Sequence, residues 1–348
     1  MKSYLLLTII FLSVKCSSIE PIAYEPKVAP IMDGILLKNT ELQKAELIAK
    51  GKILGPEGLD LDKSGNIYAA TQDGSIIKIN KNSNEPELFA NTGGRPLGIQ
   101  FDSNNNLLVC DAYKGLLSIQ ANGQISSLTN SSDGLTFKFT DDLDIAKDGI
   151  IYFTDASYKY KQTEYLYDLM EAKPHGRLLK YDPKTKITTT LLKDLYFANG
   201  VALSKNEDFV LVNETYRYRI TRYWLKGQKK GTSDIFIDNL PGFPDNISRG
   251  SSGDFYLALF TVRNERMDSM HPSPWKKKLV ASLPKFLWPK PQPYGFVVKL
   301  SETGSILETY QDPTGENLKE ITHAVEHDGY LYLGSLHNDR IGKYKLKK

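Results

Sequence analysis

An apolar–polar–apolar triplet, a polar turn and a second apolar run recur along this chain. The unit reads Leu59-Asp-Leu-Asp-Lys-Ser-Gly65-Asn-Ile-Tyr68, then Ile99-Gln-Phe-Asp-Ser-Asn-Asn-Asn106-Leu-Leu108. It returns as Leu143-Asp-Ile-Ala-Lys-Asp-Gly149-Ile-Ile-Tyr152 and Val201-Ala-Leu-Ser-Lys-Asn-Glu-Asp208-Phe-Val210. Looser copies are Ile247-Ser-Arg-Gly-Ser-Ser-Gly253-Asp-Phe-Tyr256 and Ala324-Val-Glu-His-Asp328-Gly329-Tyr-Leu-Tyr332. A further strand follows each copy: residues 74–79, 115–119, 176–181, 218–223, 295–300 and 339–344. Alternation of period two between turn residues predicts antiparallel sheet. Repetition every roughly 40–75 residues predicts an all-β fold, a six-bladed β-propeller around a central channel. A β-sandwich is the other arrangement such ladders allow; the regular strand pairs favour the propeller.

Two stretches break the period. Residues 158–174 carry Tyr165-Leu-Tyr167-Asp-Leu-Met170-Glu171, a helical turn or two. Residues 262–293 form an inserted cap or lid in which Trp275, Leu279, Phe286 and Trp288 interleave with Lys276, Lys277, Lys278, Lys285 and Lys290. Lys277 to Leu287 reads as a loosely amphipathic helix with its lysines on the outer side. A surface cap, a lid over the channel and a lipid-touching segment all fit that pattern. The expected organisation is a leader at 1–16, an arm at 17–50 with a short strand within 42–50, and the propeller at 51–348.

Composition narrows the function. The chain has 348 residues, with 44 Lys and Arg against 41 Asp and Glu. That balance argues against a nucleic-acid partner. A basic start and the apolar run Tyr4 to Val14 read as an export signal, too short to span a bilayer. Cys16 directly after it resembles a bacterial lipobox, although Lys15 departs from the usual small residue. Cys16 is therefore either a lipidated tether or part of a discarded leader. The expected location is secreted, periplasmic or on the cell surface. Cys110, within Leu107-Leu-Val-Cys110, reads as a small buried hydrophobe.

Candidate chemistry sits ahead of the apolar triplets. Glu57 precedes Leu59, Asp141 precedes Leu143, and Asn199 precedes Val201. Asp245 and Asn246 follow Pro241-Gly-Phe-Pro244. Prolines there predict a turn leading into a strand. In a propeller these positions open on one face of the channel, so distant oxygens can meet. Carboxylates and amide carbonyls are the ligands of a hard cation such as Ca²⁺. Isolated acids at turns also serve as solvated caps or Asx turns.

The chain resembles the six-bladed propellers of the strictosidine synthase-like and SMP-30/gluconolactonase superfamily, and within it the adipocyte plasma membrane-associated protein group. Gly55-Pro-Glu-Gly58, Asp141-Asp-Leu143, Asp148-Gly-Ile-Ile-Tyr-Phe-Thr-Asp155, Asn199-Gly200, Pro241-Gly-Phe-Pro-Asp-Asn-Ile247 and Glu326-His-Asp-Gly-Tyr-Leu-Tyr-Leu-Gly-Ser335 carry the likeness. It implies a divalent cation, Ca²⁺ first, held by Glu57, Asp141, Asn199 and Asp245. Asp141 stands where the family usually has Asn, which adds a negative charge. The resemblance also implies hydrolysis of a small lactone or aryl ester, with Asp245 as general base. His323 is the expected proton shuttle, and Asn246 is either a further ligand or a turn amide. A synthase-like condensation needs a glutamate near Thr322, and only Glu320 and Glu326 flank it. A non-catalytic propeller with a structural metal is the alternative.

Overall fold

The computed structural model describes residues 19–347. The Cys16 lipobox and the leader lie outside the described residues. Six four-stranded antiparallel sheets form the blades. Their innermost strands are Leu59–Leu61, Pro96–Phe101, Thr140–Ile145, Ala198–Leu203, Gly242–Arg249 and Ile321–His327. Each packs against the next, and the last returns to the first, so the ring closes. Short loops permit this meander. Asp62 Oδ1, for example, accepts the backbone N–H of Ser64 and of Asn66, and Asp102 repeats the device in the second blade.

The last blade draws its outer strand from the other end of the described chain. Glu46–Ile48 pairs with Ile341–Lys345, placing Leu47 opposite Gly342. The propeller thus begins before residue 51, because the arm supplies a strand that the C-terminal segment alone lacks. Apolar clusters fill the wedges between blades. Leu108, Cys110 and Leu116 of the second blade, for instance, pack with Leu143, Phe153 and Leu179 of the third. Each fully buried side chain of this size contributes roughly 1.5–3 kcal/mol.

An innermost strand has one edge without a strand partner, and its polar backbone groups need other partners. A neighbouring blade provides side chains. Asp60 Oδ2 accepts Phe101 N at 2.7 Å, Asp142 Oδ2 accepts Val201 N at 3.0 Å, and Asp144 Oδ2 accepts Leu203 N at 2.7 Å. Arg249 donates back to Leu203 O and Ser204 O, and Ser248 donates to Ala324 O. His323 Nδ1 accepts Leu59 N at 3.1 Å, sealing the last blade to the first. Asp60, Asp142, Asp144, Ser248, Arg249 and His323 line the lower channel.

Both insertions are helical. The first holds Tyr165–Glu171; the second holds Glu265–Met270, Pro274–Ser282 and a 3₁₀ turn, Lys285–Leu287. The expected helix at 277–287 is therefore displaced: Pro274 starts it and Pro284 prevents its continuation. Nor are all its lysines outside. Lys277 is fully buried, and its Nζ donates to Ile22 O at 2.6 Å. That bond and Tyr24 N to His271 O clamp the arm against the second insertion. Burial and nearby Arg217 push the Lys277 amine down to about 8. Arg217 itself lies between the rings of Tyr24 and Tyr196, 3.7 Å from each centroid.

Candidate functional site

The expected turns at Asp141, Asn199 and Asp245 are parts of the inner strands, whereas Glu57 precedes its strand, Leu59–Leu61, as expected. Strand register slips between Pro96 and Ile99, Thr140 and Leu143, Ala198 and Val201, Pro244 and Ile247, and Ile321 and His323. These are β-bulges, which bend a strand and re-aim its side chains. Pro244 is tolerated in a strand here because it lies at the inner edge and in a bulge. Each bulge sends neighbouring side chains different ways. Asp141 faces the upper cavity, whereas Asp142 faces the lower channel.

Glu57, Asp141, Asn199 and Asp245 come from four blades and line one cavity. It measures about 160 Å³ and is open to solvent. Its floor is polar and its walls are apolar: Phe139, Phe197 and Phe243 from the blades, Leu166 and Leu169 from the first insertion, Met267 from the second. Pro289, Lys290 and Pro291 border it as well. Glycines let the bulges nest. A Cβ on Gly58 would sit 2.0 Å from Leu97 O, and one on Gly200 would sit 2.5 Å from Asp245 O. The Glu57-Gly58 and Asn199-Gly200 pairs are thus a donor followed by the only residue that fits beneath the next blade.

Secondary contacts hold the donors. Asn246 Nδ2 donates to Glu57 Oε1 at 3.1 Å. Thr154 Oγ1 donates to Asn199 O at 2.7 Å, Thr322 Oγ1 to Glu57 O at 2.8 Å, and Asn213 Nδ2 to Asp245 O. Buried acids at the ends of second strands fix the segments leading into the bulges. Asp111 accepts Arg95 N, Asp155 accepts Phe139 N, and Glu214 accepts Tyr196 N. Sequence reasoning missed Thr154 and Asn213. Their shared position, one residue before a buried acid in Thr154-Asp155 and Asn213-Glu214, was the available signal.

The electrostatics are unfavourable without a counter-charge. Burial pushes Glu57 up to about 7, against the pull of Arg95 and Asn246. Burial and then the charge of Glu57 raise Asp245 well above the carboxylate range, against the Asn199 amide. Asp141 is raised by burial, then by Glu57 and Asp245. Glu57 Oε2, Asn199 Oδ1 and Asn246 Oδ1 are buried without a hydrogen-bond partner. Among the described residues no three His, Cys, Asp or Glu side chains already close on a point that would hold a metal. The residues nevertheless fit a hard cation: mutually repelling carboxylates and unpartnered amide and carboxylate oxygens share one cavity. Arg95 is the counter-charge that sequence reasoning overlooked. It is buried, its Nη1 donates to Pro96 O at 2.8 Å, and its Nη2 has no partner.

His323 does not join this group. It lines the lower channel, its Nδ1 is occupied by Leu59 N, and burial lowers it to about 4. The expected proton shuttle is instead a seam residue, because the bulge at Ile321–His323 turns Thr322 into the cavity and His323 away from it. Nor does Glu320 supply a carboxylate there: it binds His337 at 2.5 Å outside the cavity lining.

Comparisons with known proteins agree with this architecture. Residues 34–79 match the model of the strictosidine synthase-like N-terminal family, and residues 141–228 match strictosidine synthase. Adipocyte plasma membrane-associated protein of Gallus gallus is 38% identical over 94% of this chain and 84% of its own. The chain belongs to the strictosidine synthase-like family. Another relative, Protein STRICTOSIDINE SYNTHASE-LIKE 6 of Arabidopsis thaliana, is 37% identical over 90% of this chain and 85% of its own. This strictosidine synthase-like chain shares its fold with more distant structures. A gluconolactonase from Xanthomonas campestris superposes with a TM-score of 0.65 at 15% identity, covering 88% of this chain and 91% of that one. The calcium-binding protein regucalcin from Agrobacterium tumefaciens gives 0.62 at 13%, covering 86% and 93%. No helix among the described residues of this family member is long and apolar enough to cross a membrane.

Proposed function

We propose that this protein is an exported, divalent cation-dependent hydrolase of lactones or aryl esters, acting in the upper cavity. The observation that supports the reading is that Glu57, Asp141, Asn199 and Asp245, from four blades, line one cavity together with apolar side chains. Those four side chains would hold the cation, Ca²⁺ first. When bound, it supplies positive charge that favours a polarised ester carbonyl. The similarity to a gluconolactonase and a calcium-binding regucalcin supports both the fold and this choice of chemistry.

The chain's own groups then divide the work. Phe139, Phe197 and Phe243 bury the apolar part of the substrate and exclude water around it. Asp245 takes a proton from the water whose oxygen attacks the carbonyl carbon, and returns it to the departing alkoxide as the C–O bond breaks. Asn199 orients Asp245 through its amide. The test is turnover of phenyl acetate and of a δ-lactone, with and without chelator. Chelator-sensitive turnover that disappears in Asp245→Ala, with the near-UV spectrum unchanged, is expected. Turnover that persists in folded Asp245→Ala overturns the assignment. The second reading, a non-catalytic binding propeller, is favoured because no histidine is among the described residues that line the cavity. It predicts stabilisation by Ca²⁺ with no turnover of either ester.

A further inference from the structure

The second insertion presents an unusual outer surface. Trp275 is 65% exposed, Leu279 53%, Phe286 73% and Leu287 50%. Trp275 and Leu279 are four residues apart on the helix Pro274–Ser282, so they share a face. The inner face of that helix buries Lys277 and Ala281. In the following turn Phe286 and Leu287 point outward, whereas Trp288 turns in against Tyr167, with ring centroids 5.3 Å apart. The large apolar groups outside are therefore not a failure of packing; the element has a separate, filled inner face.

Charge says what these groups face. From His271 to Leu300 the chain contains no Asp or Glu, although acids and bases are nearly equal overall. Lys276, Lys278, Lys285 and Lys290 are exposed among the apolar groups. The nearest acids in sequence, Glu265 and Asp268, lie on the preceding helix, and Asp268 is bound by Arg263 and Tyr218. Exposed Trp, Phe and Leu ringed by Lys is the signature of a surface that enters the headgroup region of an anionic bilayer.

The start of the described chain emerges at the same place. Ile22 O is bound by Lys277 Nζ, and Glu20 N by Glu171 Oε1 at 2.7 Å. The apolar run Tyr4 to Val14 and Cys16 thus precede a segment already clamped beside this patch.

We propose that the outer surface of the second insertion, Trp275, Leu279, Phe286 and Leu287 with their flanking lysines, docks on an anionic lipid bilayer. The same insertion supplies Pro289, Lys290 and Pro291 to the cavity. Docking therefore sets the cavity's mouth against the membrane surface and gives membrane-dissolved molecules a short path into it. This inference stands on the surface and is independent of any turnover.

The experiment uses the full chain on vesicles of phosphatidylcholine with about one third phosphatidylserine, their acyl chains brominated to quench tryptophan. Residues 1–18 are identical in every variant, so differences between variants report the insertion alone. The parent should be quenched and Trp275→Phe should not, since Trp288 is buried and Trp224 half-buried in another blade. Lys276→Glu with Lys278→Glu should weaken partitioning at least about tenfold, since each basic residue near such a surface contributes roughly a factor of five. Equal quenching of parent and Trp275→Phe overturns the proposal. A concentration-dependent dimer that Phe286→Ser abolishes, with no lipid quenching, also overturns it and assigns the face to a second copy of the chain.

Discussion

The side-chain amide of Asn246 donates to Glu57 Oε1 at 3.1 Å, joining residues 189 positions apart. The bond spans from the fifth blade to the first and leaves Glu57 Oε2 and Asn246 Oδ1 buried without partners. Glu57 is thereby held in the cavity that Asn199, with its own unpartnered Oδ1, also lines. Three consequences of that arrangement, and one of the blade seam that His323 closes, can be measured.

Ca²⁺ should raise the melting temperature of chelator-treated protein. A cation at about 100 times its dissociation constant stabilises by roughly 2.7 kcal/mol. Calorimetry across a Ca²⁺ series checks this, with Mg²⁺ as the smaller comparison ion. No shift at saturating Ca²⁺ would count against the cation site.

Cation-free protein should lose stability as pH rises. Glu57 titrates near 4.5 when unfolded and at about 7 when folded, so the folded state holds the extra proton between them. Its contribution is full below 4.5 and lost as pH passes about 7. Asp141 and Asp245, raised in the same direction, extend the loss to higher pH. His323 works oppositely, its contribution present above 6.5 and lost as pH falls toward about 4. Saturating Ca²⁺ should flatten the alkaline slope in thermal melts.

Asp141→Asn should stabilise the cation-free form and weaken cation binding. It removes one of three mutually repelling carboxylates while keeping an oxygen donor. A fall of roughly tenfold in Ca²⁺ affinity, about one unit of pKa-scale energy, is expected by titration calorimetry. The alkaline slope should shrink in the same variant. Tighter binding in Asp141→Asn would exclude Asp141 from the cation's surroundings.

His323→Leu should cost stability and spare turnover. It strips Leu59 N–H of its acceptor at a buried seam, worth about 1–3 kcal/mol. Denaturant midpoints should fall, while kcat for any ester the parent hydrolyses should stay within about threefold, since only transition-state contacts change it strongly. A collapse of kcat with unchanged stability would return His323 to the chemistry.

Much of this was legible in residue order. The six triplets lie on inner strands, and the strands at 115–119 and 295–300 have those bounds in the structure. Glu57, Asp141, Asn199 and Asp245 share a cavity as their common place in the repeat implied. What was misjudged at the site has one cause. A bulge leaves no mark in a period-two pattern except a broken beat, and the broken beat was read as a turn. That reading puts Asp141, Asn199 and Asp245 ahead of strands rather than inside them, although Glu57 does precede Leu59–Leu61, and it puts His323 with Thr322 rather than opposite it.

Residue order by itself determined the ring of blades, since period and turn chemistry are local and repeat. It also determined which side chains carry oxygen at each strand's leading end. Only the tertiary structure decided where those oxygens point. A bulge turns one neighbour up and the next down, and a glycine lets the following blade press close enough to hold both. Closure through Glu46–Ile48, the burial of Lys277 under the arm and the seam role of His323 were settled there too. Each depends on a partner far along the chain, and the geometry that brings such partners together is a property of the assembled ring.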